Sequence, residues 1–458
     1  MKRIITLIAA IIFSIVFYKQ SIGLNLLLFT ITTIACLFII YSKQLKSKKI
    51  IGYTLAYLIT GFAVFFQKSN LTIIANIISF FIVIGTFSEK ETSIYIKWLN
   101  GIYTSIVSVF SIHFEKQQEE KRNKRIKLSN LKIIIPSIIV FIVFFILYSN
   151  GNPIFSDLIS KIDLSFINFT WLLFTVLGYY LFNNILNPIK IEPATGLDLE
   201  TGNLLLKNDL KEISKNTLKS ENKLGTILIL MLNILIVLFL ITDYIYISQL
   251  HYLSASELSQ QVHSGVYTLI LSIVLAIVII LYFFRGHLNF YKKNKQLKIL
   301  TFIWIWLNII LCISTATKNI EYITSFGLTY KRIGVLVYLF LALIGLLTTF
   351  IKVNQQKNIW YLLRLNTSIA FVLLIISTSI NWDAKISKYN LYSSEIIDMD
   401  YLLNLSNNNT FTLKEYLENG NQISLKQQLD IEKKHKEYVL QLKENKWQEL
   451  IYDNLTVE

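Results

Sequence analysis

The sequence predicts an all-α, polytopic membrane protein, and three observations carry that assignment. Charged residues make up 16% of the 458-residue chain, against about 25% in an average soluble domain. Mean hydropathy is +0.52, with 53% of residues hydrophobic. The apolar residues fall in long blocks rather than in period-2 or period-3.6 stripes. High hydropathy with low charge excludes a disordered chain. The blocks argue against a soluble enzyme.

Eleven blocks read as spans: 4–18, 24–41, 50–66, 71–87, 133–148, 166–186, 225–247, 266–284, 299–316, 333–351 and 361–380. Crossing about 30 Å of hydrocarbon takes about 20 helical residues. The shorter blocks therefore need flanking Tyr, Trp and Lys at the interface to complete the span. Lys2 and Arg3 before the first block resemble the start of a signal peptide. No A-x-A cleavage site follows and a second block begins at Leu24, so the first block reads as an uncleaved membrane helix.

Residues 98–114 are apolar but diluted by Asn100, Ser105, Ser108, Ser111 and His113. Lys116, Lys121, Arg122, Lys124, Arg125, Lys127 and Lys132 follow. The basic flank favours an interfacial or re-entrant helix over a twelfth span. With 88–132 inside, the inner connections hold 28 Lys/Arg and the outer loops six: Lys19, Lys68, Lys161, Lys318, Lys331 and Arg332. The positive-inside rule then places the N-terminus in the cytoplasm and the tail outside.

Four regions follow: a four-span region at 1–97, an interfacial helix with a basic cytoplasmic loop at 98–132, a seven-span core at 133–380 with cytoplasmic loop 187–224, and an acidic helical extracytoplasmic tail at 381–458. Loop 187–224 starts turn-rich, with Pro188, Pro193, Gly196 and Gly202. It ends with lysines at 207, 211, 215, 219 and 223, one per helical turn. Such a stripe suits anionic lipid headgroups. The tail holds nine Lys and thirteen Asp/Glu, a net −4 in a chain of +15. Thr412 with Glu415, and Ser424 with Gln427, fit the capping-box pattern and predict two helices, the second running to about Leu450. The positive charge sits in short loops, without a basic, aromatic-interleaved groove, so nucleic acid is not an expected partner.

No Walker A loop, GxSxG, HExxH or GxGxxG motif is present, and no catalytic residue is assigned. Cys36 and Cys312 lie inside apolar blocks and read as small buried hydrophobes. His251 and His263 share the outer loop 248–265 with Glu257, but their spacing matches no helix face, so no metal or cofactor is expected. Asp243 is expected to reach headgroup level, and Arg364 to snorkel. Asn308 and Asn366 are the candidates for polar groups at mid-depth. Denser polarity occurs at Tyr322–Arg332 and Asn381–Asn390, which reads either as anchoring of Tyr, Lys and Arg at headgroup depth or as an outer-face pocket. If loops 248–265 and 317–332 and the start of the tail meet outside, Glu257, His263, Tyr322, Thr329, Arg332, Asp383 and Asn390 form one binding site, with Arg332 paired to Asp383.

The segment YITSFGLTYKRIGVLVY resembles the Tyr-Ile-x-x-Tyr-Gly-Leu-Thr-x-x-Arg pattern of an uncharacterised family of bacterial polytopic membrane proteins. That family is catalogued as a domain of unknown function (the four-one-seven-three type, related to the four-one-five-three type). LSASELSQQVHSGVYTLI, NGNPIFSDLI and NWDAKISKYN followed by Asp400-Tyr-Leu-Leu are similar to further segments of it. The resemblance covers roughly 130–405. His263 stands where the pattern tends to have Arg, and Phe326 where it tends to have Tyr. The resemblance implies the fold and a multi-pass place in the bacterial cytoplasmic (inner) membrane, and no activity. Three classes of function stay open: a non-catalytic sensor, scaffold or assembly factor binding an envelope protein or small ligand on its outer face; a transporter or lipid-handling carrier with a cavity among the spans; and a membrane-embedded transferase acting on a lipid-linked group.

Overall fold

Long apolar runs with few prolines leave the backbone to satisfy itself, and in hydrocarbon that favours helix. The computed structural model describes residues 1–120, 168–207, 214–249, 255–420 and 423–457, with isolated residues between 136 and 152. Among the described residues there are sixteen α-helices and no strand beyond one antiparallel bridge, Leu204 to Lys357. The block at 133–148 and the loops at 121–132 and 153–167 lie largely or wholly outside the described residues.

The first bundle contains α1 (Lys2–Phe17), α2 (Leu24–Ile40), α3 (Lys48–Phe66), α4 (Asn70–Ser88), α5 (Ile94–Glu120) and α6 (Phe169–Ile185). Its core joins Ala9, Leu37, Tyr57, Val83 and Ile84 to Phe182 and Ile185 of α6. The sequence division at 133 places α6 with the later helices, whereas its apolar side completes this first core. Helices α4 and α5 meet at two glycines. A Cβ on Gly85 would lie 1.8 Å from the Lys97 carbonyl oxygen, and one on Gly101 equally close to that of Phe81. Small residues allow this backbone-to-backbone approach.

After the short α7 (Glu192–Glu200), started by Pro193 in its first turn, the second bundle contains α8 (Lys215–Gln249), α9 (Ala255–Phe283), α10 (Lys295–Phe326) and α11 (Tyr330–Asn354). Ile229, Ile273, Ile280, Ile305, Cys312 and Leu346 form its core. Helix α12 (Ile359–Thr378) lies between the bundles, with Phe371 packed on Ile82 and Ile94. Among the described residues, six helices are long and apolar enough to cross a membrane: α3, α4, α8 (over Lys215–Ile245) and α10 to α12. Leu24–Ile40 and Thr268–Phe283 are shorter apolar helices.

Three boundaries differ from the sequence reading. Helix α10 continues ten residues past the apolar block, to Gly327, whose φ of +79° ends it. Polar Lys318, Asn319 and Tyr322 are tolerated there because each is buried against a partner. Helix α9 begins at Ala255, so most of the expected loop 248–265 is helical. Loop 187–224 yields its last ten residues to α8 and nine to α7.

The tail forms α13 (Trp382–Tyr392), α14 (Met399–Leu403), α15 (Thr410–Glu418) and α16 (Leu425–Glu444). Ser424 and Gln427 form the expected capping box, but α16 stops at Glu444. Thr412 caps nothing, because α15 starts two residues earlier behind Asn409. Ile386, Met399, Leu402, Leu413 and Ile431 give this cap its own core, joined by Leu328 and Ile333 of the second bundle.

Candidate functional site

The cap sits where the α1–α2, α3–α4 and α10–α11 turns gather. On the first bundle, the carbonyls of Leu450 and Gln448 accept the leading N–H groups of α2, from Leu24 (2.7 Å) and Asn25 (2.8 Å). These are donors that a helix start leaves unsatisfied. Glu449 accepts the Ser21 N–H at 2.6 Å. That bond, more than any other influence, holds its carboxyl below the usual carboxylate range. Asn408 donates to the Lys68 carbonyl at 3.1 Å.

On the second bundle, Asn390 brackets the α10–α11 turn. It accepts the Leu328 N–H and donates to the Leu328 carbonyl. Thr329 caps α11 by accepting the Arg332 N–H at 3.3 Å. The Arg332 guanidinium donates to the carbonyls of Phe326 and Gly327 and lies 4.1 Å from the Tyr322 ring centroid. Tyr330 donates to Asp383 at 2.7 Å.

The structure thus gathers five of the seven expected residues, Tyr322, Thr329, Arg332, Asp383 and Asn390, around one turn. Their roles differ from the expectation. Arg332 forms no ion pair with Asp383. It neutralises the C-terminal carbonyls of α10, where a helix end attracts a cation. Asp383 is only 3% exposed and is held by neutral donors: Tyr330, Ser406 and Asn408. Glu257 and His263 lie in the first turns of α9, and their side chains are outside the described residues.

Between cap and bundles lies a cavity of about 610 Å³, within the roughly 300–1,000 Å³ of small-molecule sites. Lys68 and Asn70 come from the first bundle, Tyr330 from the second, and Asp383, Asn408 and Gln441 from the cap. Burial pushes the Lys68 ammonium below its usual pKa, with Glu449 opposing. No group of three or more metal-ligating side chains occurs among the described residues.

Two ion pairs, one buried and one partly exposed, escaped the sequence reading. Asp243 on α8 pairs with Lys318 on α10 and accepts the Ser314 hydroxyl. Both charged side chains are at most 10% exposed. Asp243 therefore does not reach out to headgroups but is satisfied inside the bundle. The signal is a carboxylate near the end of the block 225–247 and a lysine just past the end of the block 299–316, which the sequence reading assigns to a loop. At the opposite end, Arg364 does not snorkel. It binds Asp198 at 3.1 Å and the carbonyls of Asp198 and Thr201 at 2.6 and 2.8 Å. Burial works against the Asp198 charge, but the Ser93 N–H and Arg364 hold its carboxyl below the usual value. Asn308 donates within its own helix to Trp304, and Asn366 accepts from Thr348 at 3.2 Å across α11 and α12.

Residues 187–198 run along α5. Ser108 donates to the Asn187 carbonyl at 2.6 Å, Thr104 accepts the Ile189 N–H at 3.0 Å, and Asn100 accepts that of Ile191 at 3.0 Å. Asn100 and Ser108 are two of the residues that dilute the apolar run.

The family described as "Domain of unknown function (DUF4153)" matches residues 5–416. The chain belongs to that family. No curated protein and no solved structure matches it. The family match takes in both bundles and the cap as far as Tyr416. It stops before α16 and the segment that docks on α2.

Proposed function

We propose that the chain is a non-catalytic integral protein of the bacterial cytoplasmic membrane, a sensor, scaffold or assembly factor whose cap binds a partner or small ligand outside. One observation carries this reading: the cap is fastened to both bundles, so occupancy of the cap bears on how the bundles sit together. The orientation follows from charge. Lysine-rich connections gather at the end opposite the cap, among them exposed Lys215, Lys219 and Lys223 on one face of α8. Anionic headgroups are the natural partners there.

Labelling tests the reading. With Cys36 and Cys312 replaced by Ala, a membrane-impermeant maleimide added to intact cells should modify a cysteine at 420 and spare one at 207. The reverse pattern overturns an outer binding face. The buried Asp243–Lys318 pair favours a second reading, a carrier, because ionisable side chains inside membrane helices commonly mark transport pathways.

A further inference from the structure

We propose that the cavity between the cap and the two bundles is a binding site for a neutral carbohydrate of one or two sugar rings. This rests on the outer-face reading and names the ligand class.

The walls carry carboxamides. Asn70, Asn404, Asn408, Gln441 and Asn445 line the cavity. Each offers both a donor and an acceptor, which matches a sugar hydroxyl, itself donor and acceptor. Part of this capacity is unused among the described residues. Gln441 spends its oxygen on Asn407, at 3.2 Å, and keeps its NH₂. Asn404 and Asn445 spend their NH₂ groups on Asp400 and Asn454 and keep their oxygens. Asn408 donates to Lys68 and Asp383 and keeps its oxygen.

The charges argue for a neutral ligand. Lys68 and Asp383 balance one another across the lining. Asp383 accepts three hydrogen bonds from neutral groups, which leaves its carboxylate one further acceptor position for a hydroxyl. Leu71, Ile73, Leu442 and Ile451 add an apolar surface suited to the C–H face of a sugar ring. A free anion would find one cation and a carboxylate. A purely apolar ligand would strand the amides.

The test uses the purified full chain in detergent on an array of neutral and acidic oligosaccharides, followed by titration of the best-retained neutral glycan. Wild-type protein should be retained on neutral glycans. Gln441→Ala and Asn404→Ala remove groups on exposed side chains and should each weaken binding about fivefold. Unchanged trypsin resistance of the cap shows that these variants fold. Retention on acidic glycans alone, no retention on any glycan, or unchanged affinity in both variants overturns the ligand class. An outward cysteine at 420 with no glycan bound would overturn the ligand class and leave the outer-face reading standing.

Discussion

The Asp243–Lys318 pair places two opposite charges inside the second bundle. Each ion would be expensive in an apolar setting by itself, and the attraction offsets desolvation only while both are present. Lys318→Met should therefore strand a carboxylate against Ser314 and destabilise the bundle by about 3–5 kcal/mol. Adding Asp243→Leu removes the stranded charge and should recover most of that loss. Thermal unfolding in detergent measures both, and a double variant no more stable than the single one shows that the two residues do not act as a pair. At the same scale, legibility was uneven. The types and positions of Arg332, Asn390 and Asp383 were enough to place them at one joint. Their partners were not, because Arg332 is drawn to backbone carbonyls and Asp383 to neutral hydroxyls and an amide, and such partners leave no complementary charge in the sequence. Arg364 and Asp198 are 166 positions apart, and only the path of residues 187–207 brings them together.

At the level of elements, hydrophobic blocks located ten of the eleven expected helices among the described residues, because apolar length is itself the requirement for a membrane helix. Boundaries went astray where polar residues continue a helix, as at the end of α10 and the start of α9. A polar residue ends an apolar block without ending the helix. The contact of α4 with α5 was also illegible, since a glycine announces no neighbour. It is nevertheless tight enough to test. Gly101→Ala places a methyl against the Phe81 backbone, which cannot swing aside as a side chain would. It should lower stability by about 1–3 kcal/mol. Gly52 in α3 has open space around it. Gly52→Ala should be neutral, or stabilising by up to about 1 kcal/mol through helix propensity. Equal effects of the two substitutions on detergent unfolding would show that the close approach carries no weight.

Across the whole molecule, the tail is the element that the sequence read least completely. Its acidity and its capping signals predicted two helices but not four, nor a fold that closes over both bundles. The joint to the first bundle has a pH signature. The Glu449 pKa is depressed in the folded state, so its contribution is complete above the unfolded carboxylate value and is lost as pH falls through the folded one. Limited proteolysis of the segment after α16 should increase below about pH 4.5 in the wild-type chain. Glu449→Gln should abolish the part of that change due to this residue, and identical profiles would exclude it.

That joint also sets an order of events during synthesis. Ser21 and Glu449 are 428 positions apart. A ribosome delivers α1 and α2 to the membrane long before it reaches Gln448–Leu450. Until then the two leading N–H groups of α2 must take water as their partner. The first hairpin made is thus among the last to be finished, and a chain interrupted in its final helix leaves the membrane with an unsealed first hairpin.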